Sequence, residues 1–171
     1  MAKNKRYLIL ILLLLCGRSV NYSNDCIERA YLGQVGVKEL TKHNDGQRVE
    51  EYLRTVNMPK GNAWCAAFVK WCLQQCDIPN NVTAWAPTAA NPKNMVYKHG
   101  SFLKQYEPGD VFTIYSYKLN RVAHTGFVHR IDGNSVTTVE GNTNNNGSRE
   151  GDGVYIRTRP LYSIYTISRW K

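Results

Sequence analysis

The sequence predicts an α+β domain, with helices in the first half of the chain and an antiparallel sheet in the second. The segment 63–75 contains neither Gly nor Pro and is rich in residues that favour helices. Further along, β-branched and aromatic runs alternate with turns that contain Gly, Asp or Asn. These runs are residues 108–117, 121–131, 134–141, 153–159 and 163–170, which we interpret as a meander of about five strands.

The chain begins with a segment typical of an export signal. A basic start is followed by the apolar run Leu8–Leu15, which is too short to span a bilayer but has the length of a signal-peptide core. Gly17 and Ser19 are small residues two apart, so we predict cleavage after Ser19. Lipoprotein processing at Cys16 is a weaker alternative, because a Leu precedes this cysteine. We therefore expect an exported protein of the periplasm, cell envelope or medium, with no stable membrane insertion after cleavage.

Removal of residues 1–19 leaves 152 of the 171 residues, which suits a single domain, assigned to residues 20–171. The net charge falls from +9 to +5, because the removed segment carries four basic residues and no acidic ones. The remaining basic residues are dispersed, and no nucleic-acid-binding motif is present. We therefore expect a monomer that meets an anionic surface such as a cell wall, and no nucleic acid.

Three of the five cysteines, Cys65, Cys72 and Cys76, lie in or just after the predicted helix. At about 100° per residue they share one face of it. Cys65 lies in the first turn, after the expected N-cap Asn62, where free backbone N–H groups and the helix dipole stabilise a thiolate. The other two are interpreted as small buried residues, or one of them as the partner of Cys26 in a disulfide.

A nucleophilic cysteine needs a base, and the chain has four histidines. His43 and His99 lie in polar, turn-like segments, so we expect both to be exposed. His124 and His129 lie in the second predicted strand, where alternation places them on opposite faces.

The hairpin that follows this strand favours His124 as the base. If the hairpin is centred on Gly133, Asn142 lies opposite His124, and Glu140 shares the same face. A polar acceptor beside His124 would fix the tautomer of its ring and leave the other ring nitrogen for the nucleophile.

The segments WCAAFVKWCL, PGDVFTIY and HTGFVHRIDGNSVTTVEGN occur in this order and resemble the CHAP family of cysteine amidases and peptidases. This family belongs to the papain-like group that includes the NlpC/P60 cell-wall hydrolases. The upstream segment LGQVGVKELTKHNDGQRVEEYLRTV resembles the helical lead-in of bacterial members. The resemblance extends over about residues 32–169 and implies a papain-like fold, with the nucleophile at the N-terminus of a helix packed against a sheet.

The resemblance also implies roles for four residues. Cys65 corresponds to the nucleophile and His124 to the general base, while Glu140 and Asn142 correspond to the groups that orient and polarise the imidazole. The substrate implied is peptidoglycan, cut either between the glycan lactyl group and the stem peptide or within the peptides. No cofactor is implied, and no metal is expected, because the histidines and cysteines lack zinc-site spacing.

Three further residues are candidate substrate contacts. Trp64 stands beside the nucleophile, either as a wall of the groove or packed under the helix start. A side-chain donor to the oxyanion is expected from upstream, either Asn57 or Asn62. Trp85 lies in the segment 83–100, which we predict to be a loop with one short helical piece that covers the other side of the groove.

Two alternative functions use the same fold. One is a wall-binding module without catalysis, and the other is a secreted cysteine protease with protein substrates. The presence of Cys65, His124 and Glu140 together favours an enzyme over a binding module, which has no need of all three.

Overall fold

The computed structural model describes residues 22–98, 100–144 and 151–171. The predicted export signal and His99 lie outside these residues. Within them the chain forms three α-helices and then a sheet whose strands all pair antiparallel, which confirms the α+β class. The helices are α1 (Tyr22–Leu32), α2 (Gln47–Thr55) and α3 (Cys65–Gln75). The strands are β1 (Met95–Lys98), β2 (Ser101–Phe102), β3 (Val111–Ser116), β4 (Arg121–Asp132), β5 (Ser135–Thr143), β6 (Gly153–Pro160) and β7 (Thr166–Ser168).

The expected number of about five strands is wrong, because the described part of the sheet has seven, in the order β2-β1-β7-β3-β4-β5-β6. The two extra strands, β1 and β2, lie at the end of the Pro-rich region and just after it, where we predicted only a loop with a short helical piece. That helical piece exists as a 3-10 helix, Ala86–Ala89. The meander holds for β3 to β6 only, since β7 returns across the sheet to pair with β3 and β1.

The β4–β5 hairpin has the register that the count predicted, but for a different reason. Asp132 pairs with Ser135, so the turn is Gly133–Asn134 rather than one centred on Gly133. A bulge after Val128 shifts the register by one residue, and Phe127 then pairs with Val139. The position of the turn shifts the pairing by one residue and the bulge shifts it back. On the same side of the bulge as His124, β4 and β5 therefore pair as the sequence count predicted.

The sheet has a hydrophobic cluster on each side. On one side α3 packs against β4 and β5, with the rings of Phe68 and Phe127 in edge contact at 5.8 Å. On the other side Phe112 and Val128 form the second cluster together with Ile164. Ile164 belongs to residues 160–165, the crossover segment, which joins β6 to β7. Among the described residues no helix is both long and apolar enough to cross a membrane.

A disulfide between Cys26 and Cys76 joins α1 to the end of α3. This selects Cys76 of the two partners that the sequence left open for Cys26. Cys72 has a free thiol and is fully buried, as expected for a small core residue.

Candidate active site

The start of α3 places Cys65 at the first helical position. The helix begins at Cys65 and not at Ala63, and Trp64 is its N-cap. The first intrahelical bond runs from the Phe68 N–H to the Trp64 carbonyl at 2.9 Å. The Cys65 N–H therefore has no acceptor within the helix and points out of its N-terminus. The Cys65 side chain is free of any disulfide and is 7% exposed.

His124 lies on β4 with its ring between Cys65 and Glu140. Its Nε2 is 2.7 Å from Glu140 Oε2, and the Cys65 thiol lies close enough to the same ring to raise the pKa of His124. Because Nε2 faces the carboxylate, Nδ1 is the ring nitrogen left for the thiol. The three side chains thus form a chain from thiol to imidazole to carboxylate, the arrangement that nucleophilic catalysis by cysteine requires.

Glu140 is fully buried and is held by more than the histidine. Arg159 on β6 donates from Nε to Oε1 at 2.5 Å and from a terminal nitrogen to Oε2 at 2.6 Å, a two-pronged pairing. Thr138 donates its hydroxyl to Oε1 at 2.5 Å. A buried carboxylate without partners would be costly, and here both of its oxygens have partners.

These contacts set the ionisation of the site. Burial lowers the pKa of His124, but hydrogen bonds and charge from Cys65 and Glu140 outweigh burial and raise this pKa to about 9. Burial likewise raises the pKa of Glu140, but hydrogen bonds and charge from Arg159 and His124 hold it well below its usual range. At neutral pH the site therefore contains a carboxylate beside an imidazole that favours its protonated form.

Two glycines allow the close packing that brings these groups together. A Cβ on Gly126 would lie 2.7 Å from the Val139 carbonyl oxygen and 3.1 Å from Cγ of Glu140, so this glycine makes room for the carboxylate side chain on β5. A Cβ on Gly141 would lie 2.7 Å from both Cβ of Phe68 and a ring carbon of Trp64. The bare backbone at position 141 thus lets β5 lie directly against the first turn of α3.

The other predicted site residues, Asn142, Trp85 and Asn62, differ in their exposure and in their contacts. Asn142 follows Glu140 by two residues, is half-buried, and has a φ of 54°, a left-handed conformation that Asn tolerates. Trp85 is 57% exposed. The expected N-cap role of Asn62 is wrong, because its side chain donates to the Pro59 carbonyl at 3.0 Å and α3 begins three residues after it.

Trp64 lies inside the protein and not on its surface. Its side chain is fully buried, stacks on Tyr52 and donates from Nε1 to Glu39 Oε1 at 2.9 Å. Of the two interpretations given for it, packing under the helix start describes its position.

Of the other histidines in the described residues, His43 and His129 are not part of this cluster. His129 contacts the Tyr31 hydroxyl at 3.1 Å and Glu28 at 3.3 Å, both on α1. His43 is exposed, as predicted. In the described segments no three His, Cys, Asp or Glu side chains are grouped so that they could hold a metal ion.

Arg159 and Thr138, which both hold Glu140, are residues that sequence reasoning missed, and Arg159 is the charged one. It pairs with Val136 across the β5–β6 ladder, and so shares a face with Glu140 four residues further along β5. A basic residue near the end of a strand is common, and only the register of that ladder shows that it reaches the carboxylate.

Comparisons with known proteins identify the family of the chain. A search of curated proteins gives no match to the chain. The family model described as "CHAP domain" matches residues 57–142, half of the chain, and this range includes Cys65, His124 and Glu140. Domains of this family are papain-like and are generally amidases or peptidases that act on peptidoglycan. With a cysteine at a helix N-terminus, a histidine on a strand and a family match that includes both, the chain belongs to the CHAP domain family.

Proposed function

We propose that the protein is an exported cysteine hydrolase that cleaves amide bonds of peptidoglycan, either between the lactyl group and the stem peptide or within the peptides. The observation that carries the proposal is the hydrogen bond between His124 and the buried Glu140, with the free cysteine Cys65 close enough to raise the pKa of the same imidazole. A wall-binding module would gain nothing from burying a carboxylate behind a histidine, since burial of a charge is costly unless it serves another group.

In the proposed reaction, Cys65 and His124 act as a thiolate–imidazolium pair. The thiolate attacks the amide carbonyl carbon, and the oxyanion that forms accepts a hydrogen bond from the Cys65 N–H at the start of α3. The C–N bond then breaks as His124 gives its proton to the leaving amine. His124 next takes a proton from water, which attacks the thioester, breaks the C–S bond and regenerates the thiolate.

Glu140 stabilises the imidazolium and fixes the orientation of the ring, and Arg159 keeps Glu140 ionised. Asn142 and Trp85 remain proposed contributors to the site and to substrate binding, respectively. Residues 1–19 are the proposed export signal, and the mature chain is proposed to act as a monomer in the cell envelope or outside the cell.

The test is digestion of purified peptidoglycan, followed by mass spectrometry of the released fragments. Free lactyl groups would identify an amidase, and shortened or separated stem peptides would identify an endopeptidase. Two histidine variants give a matched control, since His124→Gln should abolish release while His129→Gln should retain it. If the wild-type protein releases no fragments from any wall preparation, or if His124→Gln keeps full activity, the proposal is wrong.

A further inference from the structure

A groove of about 920 Å³ lies beside the second hydrophobic cluster, between β3 and the crossover segment. None of the described residues that line the groove carries a charge. Five of them are tyrosines: Tyr97, Tyr115, Tyr117, Tyr162 and Tyr165. A groove with so many aromatic rings and no charge is suited to a neutral ligand with apolar faces and many hydroxyl groups.

Three of the tyrosine rings form a row. The ring of Tyr115 is 5.1 Å from that of Tyr165 and 5.3 Å from that of Tyr117, and its hydroxyl donates to Asn120 at 2.6 Å. Tyr117 is 90% exposed and Tyr162 is 86% exposed. Tyr117, a member of this row, and Tyr162 thus keep large rings in water and form an open platform, for which the folding of the domain gives no reason.

This groove adjoins the candidate active site along the sheet. Ile114, which lines the groove, pairs directly with His124 across the β3–β4 ladder. Pro160, at the start of the crossover segment, follows Arg159, which holds Glu140. A ligand in the groove would therefore lie beside the histidine and carboxylate of the site.

We propose that this groove binds the glycan strand of peptidoglycan, and this inference rests on the proposed function for the identity of the polymer. A sugar ring presents C–H groups on its faces, which pack on tyrosine rings, and hydroxyl and amide groups at its edge, which Asn134, Ser163 and the tyrosine hydroxyls can bind. The stem peptides carry charged groups, and the groove offers them no opposite charge. The glycan is thus the part of the polymer that the groove fits best.

The test measures binding without turnover, in a Cys65→Ser background. The probes are glycan strands freed of their peptides, with the lactyl carboxylates that this exposes converted to neutral amides, and, separately, free stem peptides, with affinity measured by calorimetry. Tyr117→Ala and Tyr162→Ala should each weaken glycan binding by roughly three- to tenfold, since an aromatic contact is worth about 1 kcal/mol. Both rings are exposed, so the melting temperature should not change. Ile156→Ala, which removes a 49% exposed apolar side chain that does not line the groove, is the matched control and should bind like its parent.

The inference is overturned if glycan strands do not bind, if they bind equally well to both tyrosine variants, or if these variants weaken binding of the stem peptides instead. The outcomes also separate this inference from the hydrolase proposal. A wild-type protein that cuts wall while glycan binding ignores the tyrosines would refute the groove alone. Tyrosine-dependent glycan binding by a protein that cuts no wall would refute only the hydrolase.

Discussion

Replacement of Glu140 by Gln tests whether the charge of Glu140 raises the pKa of His124. The change removes the negative charge behind His124 while keeping a side chain of the same shape, with an oxygen that can still accept from Nε2. In the proposed mechanism His124 must be protonated when the amine leaves, so its pKa sets the upper pH limit of activity. In the wild-type protein this pKa is raised to about 9.

The size of the expected change follows from that pKa. The difference between about 9 and the ordinary value of 6.5, at about 1.4 kcal/mol per pKa unit, corresponds to about 3 kcal/mol in favour of the imidazolium. Burial opposes this preference, and Cys65 and Glu140 together produce it. Loss of the Glu140 charge leaves only the Cys65 contribution and the remaining hydrogen bond, so we expect the upper limit to fall by about one to two units.

The raised pKa of His124 also makes the free energy of unfolding depend on pH. A raised histidine pKa stabilises the folded state fully below about pH 6.5, and this contribution is lost as the pH rises through about 9. Between these values the wild-type protein should lose stability more steeply than Glu140→Gln does.

The assay is a pH–rate profile of wall hydrolysis for the wild type, Glu140→Gln and Asn142→Ala on one wall preparation. Asn142→Ala should reduce the rate without moving the limit, because it removes no charge. If the limit of Glu140→Gln stays where the wild type has it, Glu140 is not the charged partner of His124 and the reasoning fails.

Three further variants probe the groups around this pair. Arg159→Gln should raise the pKa of Glu140, move the acid limit of activity to higher pH and cost about 3 kcal/mol of stability. Arg159→Lys should restore part of each effect. An unmoved acid limit would contradict the role given to Arg159. Gly141→Ala should destabilise by about 1–3 kcal/mol in urea unfolding and reduce activity further than that, because its Cβ would push the first turn of α3 from β5; unchanged activity would show that α3 tolerates the shift. Cys76→Ser should lose about 2–4 kcal/mol with the disulfide but keep activity when folded, and a reductant should lower the melting temperature of the wild type alone.

The parts of the fold that depend on local pattern could be predicted from the sequence. The helix of Cys65 lacks Gly and Pro and begins after a polar turn, and strands β3 to β6 have β-branched runs with clear turns between them. Strand β1 could not be predicted, because four residues at the end of a Pro-rich region are too few to show alternation. β1 forms because it pairs with β7, which lies about 70 residues away along the chain.

The residues of the candidate site likewise divide into those that a local pattern predicts and those that depend on how the strands pair. Cys65 could be predicted from a helix start, which is a local feature, whereas the choice of His124 over His129 depends on the pairing across the hairpin that follows its strand. The contact between Glu140 and His124 depends on the register of one hairpin, which the count reached only because a bulge after Val128 offsets the position of the turn. The contact of Arg159 with Glu140 depends on the register of a second ladder, between β5 and β6, so no local pattern could have assigned it to the site.

The central claim is that Cys65 is the nucleophile, and the most direct test is the rate at which cysteine variants release soluble fragments from purified peptidoglycan. The chain provides its own control, because Cys65 and Cys72 are the free cysteines of the described residues, and of the two only Cys65 contributes to the raised pKa of His124. Cys65→Ser should lose activity by a factor of about 10³ or more with its fold intact, since a serine hydroxyl is a far poorer nucleophile than a thiolate. Cys72→Ser should lose about 1–3 kcal/mol of stability for a buried hydroxyl but cleave at close to the wild-type rate at temperatures where it is folded. A Cys65→Ser protein that cleaves the wall as fast as the wild type would contradict the account.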